Sequence, residues 1–340
     1  MHISIHTLLF ALSAVIIWCL SGMLIDATDR VAKRYKRPGF AVAFLILGLL
    51  TSVSEFSVAS NATLQGIPQV SAGNLLGAST VIFLFIIPLL AVLGNGIMTT
   101  KAILPGNMVL LLGVVLLPCL LALDGDVSRT EGVIIVLLYL TLVYRIQKKS
   151  AEKTAKETLR RTKRELLHSR HTTGTDLFKI IVGALLIFAA GNILVQESVY
   201  FARFFSIPVS FVGLLLLSIG TNIPELVIAL RCIFGKHKDI AFGDYMGSAA
   251  ANSLIFGFLP LANGTFILEQ SEVAVTSVIL AIGLLLFFVF SRTRNDVSRI
   301  EGICLLVLYA IFIISQIGNA VRLSDQAPLQ ANTVLHASPL

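Results

Sequence analysis

Apolar stretches of about 18 to 25 residues, long enough to cross the hydrocarbon core of a bilayer as helix, follow one another along most of this 340-residue chain. Nothing constrains the fold more. A backbone inside lipid must satisfy its own hydrogen bonds, and only helices or closed barrels do so. Charged residues make up 13% of the sequence, against about 25% in a soluble domain, and they collect between the apolar runs. The formal net charge of +7 therefore does not imply a nucleic-acid partner, because the basic residues sit in short loops, where they orient membrane proteins. The chain reads as an all-α polytopic protein of the lipid bilayer. Cys19, Cys119, Cys232 and Cys304 fall in or at the end of apolar segments without CxxC spacing, so neither a disulfide framework nor a zinc site is expected.

The runs define ten expected spans, at roughly 3–25, 40–64, 70–93, 102–123, 130–146, 177–195, 209–234, 240–262, 273–290 and 301–318. No Lys or Arg precedes the first run and a basic cluster follows it. That order predicts a retained helix with its N-terminus outside rather than a secretory signal. Alternating crossings then sort the basic residues. Arg30 to Arg37, Lys101, the stretch from Arg145 to Lys179, the group Arg231, Lys236 and Lys238, and the group Arg292, Arg294 and Arg299 all fall on one side. They hold 23 of the 26 Lys and Arg residues; only Arg129, Arg203 and Arg322 are left opposite. The sorting predicts an integral protein of a bacterial inner membrane with both termini outside.

A shift of 170 residues superposes the chain on itself. Pro38 falls on Pro208, Thr51 on Thr221, Glu55 on Glu225, Gly73 on Gly243, Gly77 on Gly247 and Gly94 on Gly264. The pattern Arg129, Glu131, Gly132 and Tyr139 recurs as Arg299, Glu301, Gly302 and Tyr309. Five expected spans per half is an odd number, so the second half enters from the opposite face. The expected architecture is two inverted-topology repeats of five helices, an arrangement of secondary transporters with the site at the midplane. The first repeat covers 1–146, a basic cytoplasmic linker 147–176, the second repeat 177–320 and a polar tail 321–340. Within the linker, Glu152/Lys156 and Glu157/Arg161 are i,i+4 pairs that support a short helix. The tail after Arg322 is expected to be disordered.

Most of the nineteen acidic residues lie in loops or at span ends; Glu55 and Glu225 lie well inside spans two and seven. A charge at the membrane centre costs roughly 2.5–3.5 kcal/mol on insertion scales. Two acids related by internal symmetry meet near the middle, where they repel unless a proton or a cation sits between them. The structural alternative is a glutamate hydrogen-bonded within the bundle. Around them run Leu50-Thr51-Ser52-Val53-Ser54-Glu55 and Gly220-Thr221-Asn222-Ile223-Pro224-Glu225. Pro224 has no N–H, so a helix there leaves the Gly220 carbonyl without its partner. Carbonyl, hydroxyl and carboxylate are all oxygen, which hard cations such as Ca2+ require. Eighteen residues beyond each Glu come Gly73-Asn74-Leu75-Leu76-Gly77 and Gly243-Asp244-Tyr245-Met246-Gly247, glycines four apart that allow close helix approach. Asp244, Ser248 and Asn252 then fall at i, i+4, i+8 on one helical face. Asp244 lies only five residues past Asp239 and is read either as interfacial or as part of the site.

These motifs resemble those of the calcium/cation antiporter superfamily, which includes the sodium/calcium exchangers. The resemblance covers the ten-span layout and both repeats, typically G-T-S-x-P-E followed by G-N-x-x-G-S-N. Gly220, Thr221, Pro224, Glu225, Gly243, Gly247 and Ser248 match in the second half, and Thr51, Ser52, Glu55, Gly73, Asn74 and Gly77 in the first. The resemblance implies a cation antiporter exchanging Ca2+ for Na+ or H+. Glu55 and Glu225 take the place of its central calcium-ligating carboxylates, and Thr51 and Thr221 of ligands acting through carbonyl and side chain. Ser52, Asn222, Ser248, Asn252 and Asp244 complete the candidate set. Ile82 and Asn252 stand where similar exchangers have Asn and Asp. Ala78 replaces a Ser, and Leu50 and Ser54 replace Gly and Pro, so the first half departs more. With Asn252 neutral, two ionised glutamates balance one Ca2+ or two monovalent cations, which implies fewer coupling ions. Ser54 keeps an N–H able to cover the Leu50 carbonyl. A non-transporting scaffold whose ion site has decayed, or an antiporter for another cation, is the competing reading. None of the six histidines lies near the glutamates, no pattern puts a nucleophile beside a base, and neither catalysis nor a cofactor is expected.

Overall fold

The computed structural model describes residues 2–34, 44–45, 48–64, 66–98, 105–160, 173–204, 214, 217–223, 225–226, 229–230, 238–268, 270–293 and 296–336. Helix dominates. In chain order the elements are α1 His2–Arg34, α2 Gly48–Thr51, α3 Val53–Leu64, α4 Pro68–Val81, α5 Ile87–Leu93, α6 Pro105–Leu121, α7 Arg129–Arg160, α8 Thr173–Phe204, α9 Ser218–Thr221, α10 Lys238–Asn263, α11 Gln270–Thr293 and α12 Arg299–His336. A π-helical turn, Ile82–Ile86, joins α4 to α5.

Among the described residues six helical segments are long and apolar enough to cross a membrane: Pro68–Leu93, Gly106–Asp124, Arg129–Lys148, Ala241–Asn263, Val273–Thr293 and Arg299–Gly318. They coincide with expected spans three, four, five, eight, nine and ten. Spans one and six lie within α1 and α8, which pack side by side. That pair carries an ion pair at each end, His6 Nδ1 to Glu197 Oε2 at 2.6 Å and Arg30 Nε to Asp176 Oδ1 at 2.8 Å. Spans two and seven are described only in part, and both are broken rather than continuous, at Ser52 and at Asn222. The expected kink residue Pro224 lies outside the described residues, as do Cys232, Lys36, Arg37, Lys101, Arg161, Lys163, Arg164, Arg170, Arg231, Lys236 and Arg294.

Two expectations change at helix ends. Glu152 and Lys156 lie within α7, which runs on from span five to Arg160, and not in a separate helix, while Arg161 of the second pair lies outside the described residues. Likewise α12 continues through the tail to His336. Ala327, Leu329, Gln330 and Ala331 are good helix formers, whereas Pro328 among them has no N–H to add to the ladder.

The repeated Arg-x-Glu-Gly pattern marks the starts of α7 and α12. Ser128 and Ser298 each donate a backbone N–H to Oε2 of the glutamate three residues on, Glu131 and Glu301, at 2.7 Å in both cases. The serine hydroxyls reach the same oxygens at 2.9 and 2.8 Å. This capping box satisfies N–H groups that a helix start leaves open. The following glycine then meets the opposite half. A Cβ on Gly132 would lie 2.5 Å from the Gly257 carbonyl oxygen, and one on Gly302 would lie 3.0 Å from that of Pro88.

Two antiparallel ladders of two residues also join the halves. β1 (Ile97–Met98) pairs with β4 (Asp296–Val297), and β2 (Asp126–Val127) with β3 (Phe266–Ile267). Gly77 on α4 abuts the Leu214 carbonyl and Ser218, while Gly247 on α10 abuts the Phe44 carbonyl. Each glycine thus lets one half's helix reach the backbone of the other half's broken helix, which is the close approach the glycine spacing implied.

Overpacking at these points is expected to cost about 1–3 kcal/mol or more. Gly77→Ala and Gly247→Ala should lower the thermal unfolding midpoint of the detergent-purified protein. Gly113→Ala, where a Cβ meets nothing within 4 Å, should leave it unchanged or raise it slightly.

Candidate cation site

The two helix breaks set out the site. At the first, the Ser52 N–H bonds the Gly48 carbonyl at 3.3 Å and the Phe56 N–H bonds the Ser52 carbonyl at 3.0 Å. At the second, the Leu226 N–H bonds the Asn222 carbonyl, also at 3.0 Å. Each break residue turns its side chain back onto the carbonyl four positions earlier: Ser52 Oγ donates to Gly48 at 2.8 Å and Asn222 Nδ2 to Ser218 at 2.6 Å.

The breaks lie against α4 and α10 of the opposite halves. Thr51 Oγ1 donates to Asp244 Oδ1 on α10 at 3.1 Å. Its counterpart Thr221 Oγ1 donates to Asn74 Oδ1 on α4 at 3.3 Å. Ser52 and Ser248 hydroxyls meet at 3.0 Å. All nine candidate residues are buried, and Glu55, Glu225, Asp244 and Ser248 are fully so. Asp244 is therefore enclosed by the protein.

The glutamates are each anchored by one hydroxyl, but from different places. Ser248 on α10 donates to Glu225 Oε1 at 2.8 Å. The position equivalent to Ser248 in the first half is Ala78, which has nothing to give. There Ser54, the immediate neighbour of Glu55, has its hydroxyl 2.8 Å from Glu55 Oε2. The same hydroxyl lies 3.2 Å from the carbonyl oxygens of Thr51 and Thr221. The sequence reading considered only the Ser54 N–H and missed this hydroxyl. It also left out Asn74, although the 170-residue offset pairs Asn74 directly with Asp244.

Several buried oxygens have no partner among the described residues: Glu55 Oε1, Glu225 Oε2, Asp244 Oδ2, Asn222 Oδ1 and Asn252 Oδ1. Buried acceptors are ordinarily satisfied, and an unpaired buried carboxylate oxygen costs more than a neutral one. The ion pairs described lie at the ends of α1 and α8, away from these groups. Carboxylate and amide oxygens of this kind suit a hard cation, and the amide nitrogens Asn74 Nδ2 and Asn252 Nδ2 are unpartnered beside them among the described residues. Among the described residues no three His, Cys, Asp or Glu side chains converge on one point. The lining is thus a mixture of carboxylate, hydroxyl and amide oxygens and not a carboxylate cage.

Six long apolar helices with buried acids among them define a polytopic membrane protein. The family model for sodium/calcium exchanger proteins matches residues 5–146 and 176–318, and the chain belongs to that family. Its class of activity is thereby cation antiport. The sodium/calcium exchanger MaX1 of Methanosarcina acetivorans is 31% identical over 140 residues, spanning 41% of this chain and 40% of that protein. The putative antiporter CaxA of Alkalimonas amylolytica is 26% identical over 87% of this chain and 93% of its own. The sodium-calcium exchanger NCX_Mj, in crystals soaked with Na+ and Sr2+, shares the fold with a TM-score of 0.74 at 21% identity. That match covers 92% of this chain and 98% of the other.

If Ser54 substitutes for the hydroxyl missing at Ala78, Ser54→Ala should weaken cation binding by about tenfold or more, the loss of one hydrogen bond to a charged group. Ser54→Ala/Ala78→Ser should recover most of that loss. Equilibrium binding of radiolabelled calcium to the purified protein reads both; a double variant no better than the single one would rule the exchange out.

Proposed function

We propose that this protein is a secondary active antiporter exchanging Ca2+ for Na+ or H+ by alternating access at the Glu55–Glu225 pair. One observation carries the reading. Two glutamates at equivalent positions of the repeat are fully buried, and each has one oxygen held by a serine hydroxyl and the other without a partner. In this reading the free oxygens face the ion. Thr51 and Thr221 add carbonyl or hydroxyl oxygen, and Ser52, Asn222, Ser248, Asn252 and Asp244 complete the lining.

The architecture proposed is ten spans in two inverted repeats of five, with both termini outside a bacterial inner membrane. The agreement of six spans with described helices and the shared 170-residue spacing of the capping boxes, helix breaks and threonine contacts support it. Inverted repeats place equivalent groups on opposite faces of one central site, which suits a site opened to each side in turn. Facing carboxylates without a cation or proton repel, so the site resists closing empty. That resistance is a physical basis for obligatory exchange. The hydroxyl of Ser54 on Glu55 favours a working site over a decayed scaffold, since the half with more departures keeps its glutamate anchored.

Proteoliposomes loaded with Na+ and diluted into Na+-free buffer should take up radiolabelled calcium. Glu55→Gln and Glu225→Gln should each reduce uptake to the background of empty vesicles. Absence of wild-type uptake under Na+, H+ and K+ gradients would exclude calcium antiport.

A further inference from the structure

The 170-residue offset also relates the two ends of the contact between α1 and α8. It carries His6 onto Asp176, Ala27 onto Glu197 and Arg30 onto Tyr200. At one end Arg30 and Asp176 form an ion pair at 2.8 Å. At the other end the equivalent positions hold His6 and Tyr200, whose rings stack with centroids 3.6 Å apart and planes 17° from parallel. One pair of positions is thus closed by opposite charges and the other by ring faces. The stack brings no charge of its own to His6, and Glu197 supplies one. It lies one turn before Tyr200 on α8, with Oε2 2.6 Å from His6 Nδ1. At the end held by Arg30 the position equivalent to Glu197 is Ala27, fully buried. Packing of the two helices therefore requires no acid at that position.

The Glu197 side chain is only 10% exposed, against 28% for that of His6. A carboxylate so placed is costly without a positive charge beside it. Among the described residues its ion-pair partner is His6. The partner's chemistry separates the two ends. A guanidinium such as that of Arg30 stays charged in proteins, whereas an imidazole changes charge between about pH 5 and 8. The titratable groups that face His6 from α8 are Glu197 and Tyr200. On α1 itself the nearest in helical register is His2, four residues earlier.

We propose that His6 and Glu197 form a proton-binding site, separate from the buried acids at the helix breaks, which clamps this end of the α1–α8 pair when His6 is protonated. With the proton bound, an imidazolium has a carboxylate at its edge and a phenol ring on its face, and both favour the cation. Without it, Glu197 keeps at most a neutral hydrogen bond and its charge is uncompensated. The clamp is therefore present at acid pH and is lost as pH rises through the imidazole range, while the Arg30–Asp176 end stays closed. α8 also packs against α2, α3 and α9, so the end that loosens belongs to a helix in contact with both broken segments.

Amide hydrogen exchange read by mass spectrometry on the full chain in detergent tests this. Protection, corrected for the intrinsic exchange rate, is compared at about pH 5.5 and about pH 8.5, below and above the ordinary imidazole value of about 6.5. In wild type the segments around His6 and Tyr200 should lose roughly tenfold in protection at the higher pH, the scale of one hydrogen bond to a charged group. Those around Arg30 and Asp176 should not change. His6→Gln and Glu197→Gln should exchange fast at both pH values. His6→Arg, which keeps a permanent charge against Glu197, should exchange slowly at both. Equal wild-type protection at the two pH values overturns the proposal, and so does a pH-dependent loss that persists in Glu197→Gln. If Glu197→Gln does not fold, His6→Arg decides: the same loss in that variant as in wild type overturns the proposal. No ion gradient enters the measurement, so failure of calcium uptake leaves its result unchanged.

Discussion

A carboxylate taken out of water and away from the membrane surface has to be compensated, and the central part of this fold is arranged around three of them. Burying an ion costs several kcal/mol even after relaxation, so no helix carrying Glu55, Glu225 or Asp244 is stable on apolar packing alone. One oxygen of each acid is bonded within the protein, by Ser54, Ser248 and Thr51 respectively. The other has no partner among the described residues. At the turns at Ser52 and Asn222 a side chain folds back onto the carbonyl four residues earlier.

Those breaks are held by groups of the opposite half. Gly77 and Gly247 let α4 and α10 touch the other half's broken helix at backbone distance. A side chain at either glycine would separate Thr221 from Asn74 or Thr51 from Asp244. Farther out, Gly132 and Gly302 bring α7 against α10 and α12 against α5, and the two short ladders again pair one half with the other. The halves are therefore not two bodies meeting at a flat interface. They interlock, and the positions of the glutamates depend on contacts that neither half makes alone.

How much of this the sequence carries depends on the range of the interaction. Apolar length placed six spans within a few residues of the described helices, because that signal is local and repeated. Glu55 and Glu225 stood out because a mid-span acid is costly wherever it faces. Asp244 was ambiguous: distance along the chain from Asp239 says nothing about what packs over it, and α2 does so from nearly two hundred residues away. A kink was expected at Pro224, the residue with an evident local reason and outside the described residues, and an interruption is described two residues earlier, at Asn222, whose amide covers the Ser218 carbonyl. The ladders, two residues each, have no pattern long enough to read. The helical continuation of α12 was hidden by polar composition, although a helix already started extends at little cost.

The first half looks degraded only when residues are compared one for one. Compared by task, it is nearly complete. Each glutamate has a hydroxyl donor, Ser248 for Glu225 and Ser54 for Glu55. Each threonine has an oxygen acceptor across the interface, Asn74 for Thr221 and Asp244 for Thr51. Each break has a side chain folded back on the carbonyl four residues earlier, Ser52 in one half and Asn222 in the other. Pro224 leaves no hydroxyl at the position where Ser54 has one, and Ala78 leaves none where Ser248 has one. The two differences cancel as a pair, and neither can be interpreted alone. What does not cancel is charge: Asn74 and Asp244 accept the same bond but differ by one unit. That residual asymmetry sits where a hydrogen bond required none, since an amide oxygen and a carboxylate oxygen accept the same threonine contact.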